Sequence, residues 1–524
     1  MSKSIYLKIL TGIIVFVVLL LFVTKVVVEQ WIGNKIEAKF NESSKDYTVE
    51  IDKVQISVFA SSIELDSISL HARQVPGVAR VLNGQIASIQ LEGIGFWSAI
   101  FKKDFVINKV IISNTTIRGK IPFSEEDKPP MISSLNIRID SLRVDNMDFA
   151  IQNTLNAAAY SVKEGALKIT NFQVEKLDTL NIGIFKQIEF NTKEFHSVSA
   201  DSMYSYIVSG IVCSEDLNTL RADSFSIHPN YKDYEFTSRH KYQTDRIEAR
   251  LSNIYLHNFS AAGYLKSKKL VSSYVEIGKI EVNAFRDKRK KFHHINKKAF
   301  QDMIYGYPGM INIDSIGFLS GNITYTEHAE KANEPGTVSF NEFNAKIYKI
   351  TNDTVYKTEK GYLKMIAEAR LMGKARMTVL LKGKLFDKHN AFILNGTLSG
   401  MEAKDLNPML EKNAFIYATS GKIDKMNFSF TADNSRAFGK MILLYHGLAV
   451  ALKNKRTDDT TALKERVTSI IANIKVIDSN PVPKEAVREG IIANPRDPER
   501  FIFNYCAKSI LSGIKSSIVK SPKK

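Results

Sequence analysis

Apolar and polar residues alternate with a period of two along most of the chain. Val54, Ile56 and Val58 are separated by polar residues, and the pairs Ile63/Leu65 and Ile68/Leu70 follow the same rule. Leu135, Ile137 and Ile139 repeat it, as do Leu142/Val144, the series Ile247, Ala249 and Leu251, the pair Ile254/Leu256, and Phe428/Phe430. A strand points successive side chains to opposite faces, so this rhythm predicts antiparallel strands with one apolar face. The apolar positions are rich in β-branched and aromatic residues, which suit a pleated surface. Sustained helical spacing is absent between about residues 45 and 400. The apolar neighbours Met441/Ile442 and Leu443/Leu444 predict a late strand buried on both faces.

The dipeptide Asp-Ser precedes an alternating apolar pair four times, at Asp66-Ser67, Asp140-Ser141, Asp223-Ser224 and Asp314-Ser315. At the first, second and fourth of these the apolar phase slips by one residue. Short polar side chains that bond neighbouring amides favour such a step, so the repeat predicts bulged strand starts. Its spacing is too irregular for a propeller or a fixed-period solenoid.

Two segments depart from the strand rhythm. From Ile9 to Val23 no residue is charged, and Val15, Leu19 and Leu20 lie in a run that continues past Lys25 to Val28. A helix over 9–28 reaches about 30 Å, the thickness of a bilayer core, with Lys25 able to snorkel and Trp31 placed as an interfacial anchor. Lys3 and Lys8 precede it, so the N-terminus (1–8) is expected in the cytoplasm and the bulk of the chain beyond the membrane. A cleavable signal peptide is the alternative, but Glu29, Gln30 and Trp31 offer no small-residue cleavage site. At the other end, Leu463, Val467, Ile470, Ile471 and Ile474 keep helical spacing, and prolines 481, 483, 495 and 498 mark a loop. Phe503, Ala507, Ile510, Leu511, Ile514 and Ile518 then line one predicted helix face, with Lys508 and Lys515 opposite. Such a helix either lies on a membrane surface or closes the end of the sheet. The expected organisation is an anchor at 9–28, a helical linker at 29–45, an elongated β body at 46–455 and a basic helical segment at 456–524.

Charge and chemistry narrow the function. The formal net charge is +17. In a chain exported across a membrane this favours anionic lipid or envelope polymers over nucleic acid as partners. The run Arg286, Lys288, Arg289, Lys290 and Lys291 is either a solvated loop or, with Lys508 and Lys515, an electrostatic docking surface. His293 and His294 are adjacent, so on a strand they would point apart and make a poor metal site. Two cysteines, Cys213 and Cys506, are too few for a disulfide scaffold or a structural zinc site. No nucleophile elbow, phosphate loop, zinc-protease helix or dinucleotide fingerprint occurs, so no enzyme, cofactor or resident metal is expected.

The combination resembles the AsmA-like envelope proteins of Gram-negative bacteria. The resemblance rests on the anchor, on Val54–Val58 with Ile63–Leu70, and on Phe105–Ile112 leading into Ser113–Ile117 as a strand, short turn and strand. It rests also on Gly396–Met401, the turn Leu406-Asn407-Pro408-Met409, Ser420–Ile423 and Gly439–Leu443 near the other end. It implies a mainly β fold in which one long, curved antiparallel sheet forms an apolar groove for phospholipid-like molecules, similar to chorein-type bridge proteins. On that footing the groove candidates are Val54, Ile56, Val58, Ile137, Ile139, Leu142, Val144, Phe428 and Phe430. About 15 residues per strand and turn would give roughly 28 strands. The implied setting is the inner membrane with the body in the periplasm, and the implied further partner is a second membrane or an envelope protein. The alternative is a non-enzymatic β scaffold for envelope assembly, whose apolar face closes into a dry core.

Overall fold

The computed structural model describes residues 36–44, 47–57, 59–73, 81–95, 104–122, 136–174, 185–357, 361–452 and 476–519. The expected membrane anchor, with Lys8, Ile9, Val15, Leu19, Leu20, Val23, Lys25 and Trp31, lies outside these residues. So do Val58 and the helical pattern from Leu463 to Ile474. Among the described residues no helix is long and apolar enough to cross a membrane. The described chain is mainly β, with twenty strands and a few short helices, and it divides into two compact units.

The first unit comprises residues 1–230 and 257–269. Within the predicted linker, Ile36–Ser43 is helical, and Asn41 fastens it to the first strand. Asn41 Nδ2 donates to the Val49 carbonyl (2.8 Å), and the Val49 amide donates back to Asn41 Oδ1 (2.7 Å). Nine strands follow: β1 (Tyr47–Ser57), β2 (Ser62–Ala72), β3 (Val81–Ile94), β4 (Asp104–Ile121), β5 (Asn136–Asn153), β6 (Ala159–Val174), β7 (Gln187–Val198), β8 (Tyr204–Ser214) and β9 (Thr219–Pro229). Each pairs with the next, antiparallel throughout except for the parallel pair β4/β5. One cross-strand row runs through all nine: Val54, Leu65, Ile89, Ile112, Val144, Leu167, Phe190, Cys213 and Leu220. Such rows are the unit of sheet stabilisation, and here they build a single apolar face.

The second unit comprises residues 231–256 and 270–524. It holds β10 (Asp245–His257), β11 (Lys269–Asp287), β12 (Met310–His328), β13 (Gly336–Thr351), β14 (Tyr362–Leu371), β15 (Ala375–Lys384), β16 (Phe392–Leu398), the two-residue β17 (Met401–Glu402), β18 (Ile416–Ala432), β19 (Arg436–Leu452) and β20 (Glu489–Pro495). Here too a row of apolar residues crosses the antiparallel ladder: Ile316, Ile347, Met365, Leu381, Leu394, Phe430, Gly439 and Ile492.

The strands are longer and fewer than the spacing predicts, reaching nineteen residues in β11 and β12. The reason is local. Phe105–Ile112 and Ser113–Ile117 form one continuous strand, β4, because Asn114 takes a left-handed conformation (φ 51°) and steps the chain without turning it. The same device underlies the Asp-Ser repeat. Ser67 (φ 53°) is itself left-handed and faces Asp52, but at the other three copies the left-handed residue sits on the neighbouring strand, opposite the aspartate. Asn171 (φ 52°) is level with Asp140, Gly210 (φ 61°) with Asp223, and Lys349 (φ 62°) with Asp314. Both strands therefore slip phase at the same level, and the apolar residues on either side stay on one face. A Cβ at Gly210 would stand 2.0 Å from Asp223 Oδ2, so a side chain here would have to displace the Asp223 carboxylate.

Three further expectations change. Met441 and Leu443 are buried, whereas Ile442 is exposed and Leu444 half-buried, so β19 is buried on one face rather than two. The proline-marked stretch contains β20, because Ile492 fills a gap in the core while the odd neighbours face outward. The predicted turn at Leu406–Met409 opens a short helix, Asn407–Asn413, with Pro408 in its first turn where the missing amide costs nothing.

The C-terminal helix, Ile502–Ile518, closes the edge of the second unit's sheet. Its buried line is Tyr505, Ser509, Gly513 and Ser517, not the apolar stripe read from the sequence. Ile510, Ile514 and Ile518 flank that line, while Phe503 (83% exposed) and Leu511 (53%) point outward with Lys508 and Lys515. Close approach decides the orientation: a Cβ on Gly490 would lie 2.6 Å from the Gly513 carbonyl oxygen, and one on Gly513 2.7 Å from Ile492 Cγ1. At that distance serines replace a strand. The Ile491 amide donates to Ser516 Oγ (3.0 Å) and the Ala493 amide to Ser512 Oγ (3.1 Å), which satisfies the free side of β20. In a Ser512→Ala/Ser516→Ala variant, each of these amides loses a bond worth about 1 kcal/mol. Their hydrogen exchange is expected to quicken by about fivefold or more. Unchanged exchange at Ile491 and Ala493 would contradict this account of the edge.

Candidate functional site

Burial is uneven along each apolar face. In the first unit Leu65, Ile89, Ile112, Ile139, Leu142 and Val144 are fully buried, and a single core joins β1 to β6. Over β7 and β8 the apolar side chains Phe195, Ile207, Val208, Ile211 and Val212 are half-buried but divide between the two faces, and Cys213 of the cross-strand row is buried. In the second unit Phe392, Leu394, Met426, Phe428, Phe430 and Met441 form a dry core. The C-terminal helix helps to cover it, with Tyr505 6.3 Å from Phe392 between ring centroids. Toward β10–β14 the cover ends. Only Val275, Ile277 and Ile313 are buried in that cluster, and Leu251, Leu256, Ile316 and Phe318 pack around them half-buried. Ile347 and Met365 are half-buried at the margin of the dry core, against which they pack.

Charged groups mark one end of this half-open face. Asp245 extends the Ile247, Ala249, Leu251 alternation by one step, and Glu327 extends that of Ile323 and Tyr325. Arg286 and Lys288, from the end of β11, meet them. Arg286 Nη1 is 3.4 Å from Asp245 Oδ1 and Lys288 Nζ is 2.7 Å from Glu327 Oε1. Tyr325 donates its hydroxyl proton to Glu327 Oε2 (2.7 Å). Burial pushes the Asp245 carboxyl up, against the pull of Arg286. Burial, and then Glu327, push the Tyr325 phenol well above its ordinary range. Arg286 Nε is buried without a hydrogen-bond acceptor.

The rest of the basic run serves the fold. Arg289 makes two hydrogen bonds to Asp287 (2.9 and 2.8 Å) and lies over the Tyr234 ring. Lys290 donates to the carbonyls of Thr237, Ser238 and His240 and so caps the helix Asp233–Ser238. Lys291 is exposed. His293 stacks on Tyr242 at 4.3 Å and His294 meets Glu499 at 3.0 Å, so the two histidines do separate work. Among the described residues no group of three His, Cys, Asp or Glu side chains is placed to hold a metal ion. Cys213 and Cys506 are both free thiols, and burial pushes them up to about 11 and about 12.

Of the expected groove residues, Ile139, Leu142, Val144, Phe428 and Phe430 belong to the dry cores. Val54 packs half-buried beside the first core, Ile56 is exposed, and Ile137 lies in β5. The half-open lining therefore lies mostly at positions that the sequence reading had not singled out. The acidic partners Asp245 and Glu327 were missed as well, although each sits in phase with an apolar series, which is a readable signal. The sequence matches no protein-family profile and no curated protein.

The Asp287–Arg289 pair sets a pH dependence. The hydrogen bonds from Arg289 hold the Asp287 carboxyl below its ordinary 3.8. A carboxyl held down in the folded state stabilises it above the unfolded value and loses that contribution as pH falls through the folded one. Asp287→Asn is expected to lower the denaturation midpoint at pH 7, with the difference from the parent closing once pH drops below 3.8. A gap that is constant across this range, measured by chemical denaturation, would contradict the assignment.

Proposed function

We propose that the protein is a membrane-anchored, non-enzymatic lipid handler that holds or passes phospholipid-like molecules along the apolar face of its sheets. The observation that carries this reading is the half-burial of the apolar side chains over β10–β12, where Leu251, Leu256, Ile316 and Phe318 surround a cluster with only three buried members. A finished core would bury these side chains to the degree seen in the dry clusters of the same units. An acyl chain laid on such a face is shielded at about 0.8 kcal/mol per CH₂, which removes most of the barrier to leaving a bilayer. The function needs no catalytic constellation. It does need attachment to a membrane, for which the apolar segment 9–28 is suited. The AsmA-like resemblance supports the same reading; on it, the proposed setting of the body is the periplasm and the proposed process is outer-membrane lipid supply.

The scaffold alternative draws on the dry cores, where Ile139 and its neighbours leave no space for cargo. A charge at so buried a position would destabilise the first unit, so a test of the groove needs a less buried position. Met365 is the better position, being half-buried at the margin of the second unit's core and on the same face as its buried neighbour Leu381. Full-length Met365→Glu is expected to keep its circular dichroism spectrum and melting transition while losing most co-purifying phospholipid. It should also fall about tenfold or more in vesicle-to-vesicle transfer. A folded variant that binds and transfers lipid as the parent does would favour the scaffold.

A further inference from the structure

We propose that the charged cluster Asp245, Arg286, Lys288 and Glu327 is a headgroup site for a zwitterionic phospholipid, one carrying both a phosphate and an ammonium. This inference rests on the lipid-handling reading and names the end of the face at which a bound lipid presents its polar part. Four observations carry it. The cluster lies in phase with the exposed Ile247 and the half-buried Ala249 and Leu251 on one strand and with the half-buried Ile323 and Tyr325 on another, so tail and headgroup surfaces are continuous. It is balanced, with two acids meeting two bases at 3.4 and 2.7 Å, and Lys297 further off over the Phe501 ring. It is sunk, yet it is not sealed: Glu327 and Arg286 keep 9% and 14% of their side-chain exposure, while Asp245 and Lys288 keep 24% and 30%. Finally, Arg286 Nε is a buried donor with no acceptor.

Stability does not account for this arrangement. Buried ion pairs gain little over an apolar filling of the same volume, because desolvation offsets their attraction. An apolar face that ends in two such pairs therefore calls for a reason outside folding. A zwitterion supplies one. Its phosphate accepts from Arg286, including Nε, and from Lys288, and its ammonium faces Asp245 and Glu327, so each internal pair is exchanged for an equivalent one at no net charge. A headgroup with only a negative charge would satisfy the bases and strand the two carboxylates.

The test uses the full-length protein in detergent, offered equal amounts of phosphoethanolamine- and phosphoglycerol-headed lipids with identical acyl chains, with bound lipid read by native mass spectrometry. The parent is expected to take the zwitterionic lipid in about fivefold excess or more. The Asp245→Asn/Glu327→Gln variant leaves Arg286 and Lys288 uncompensated and is expected to reverse the preference. Lipid bound by the parent without headgroup preference overturns this inference alone, as does an unchanged preference in the folded variant. No bound lipid in the parent overturns the functional reading with it. The parent's preference decides the matter even where the double variant does not fold.

Discussion

The structure depends on keeping apolar side chains on one face over strands that run to nineteen residues. A strand alternates strictly, and a sheet twists, so a long unbroken alternation would carry its apolar row out of line with its neighbours. The paired phase slips solve this. A left-handed residue on one strand stands level with an Asp on the next, as Asn171 does with Asp140 and Lys349 with Asp314, and both strands step together. The cross-strand rows from Val54 to Leu220 and from Ile316 to Ile492 persist because of these steps. Everything proposed about cargo follows from those rows.

Where a row is covered it becomes a core, and where it is not it becomes a surface. The short helices make the difference. Tyr505 from the C-terminal helix and Phe300 from the helix Phe300–Tyr305 both close on Phe392, and the sheet beneath them is dry. Around Val275, Ile277 and Ile313 on β11 and β12 the same kind of side chain is half-buried. The polar cluster at the end of this stretch then terminates the apolar face instead of interrupting it.

Period-two alternation made the fold class and the apolar face legible, since strand phase follows directly from side-chain order. The Asp-Ser dipeptides correctly marked the phase slips, but not which strand carries the left-handed residue, because that depends on the neighbour. Strand length was misjudged for the same reason: Asn114 looks like a turn residue until Asn146 is found level with it, their side chains bonded at 2.8 Å. The C-terminal helix was misoriented because its interface uses small residues, Ser509, Gly513 and Ser517, and a hydrophobic pattern cannot register a contact made by the absence of side chains. The basic run reads in sequence as a solvated loop or a docking patch because the partners of Arg286 and Lys288, Asp245 and Glu327, lie tens of residues away in sequence and next to them in space.

The most direct test of the central claim is positional. A photo-crosslinking amino acid placed in turn at Met365, Ile366, Ala367 and Glu368 samples the two faces of β14 alternately. If the apolar face carries lipid, irradiation in cells will give phospholipid adducts at 365 and 367 and none above background at 366 and 368. Adducts that ignore this alternation, or adducts to protein alone at 365 and 367, would contradict the account.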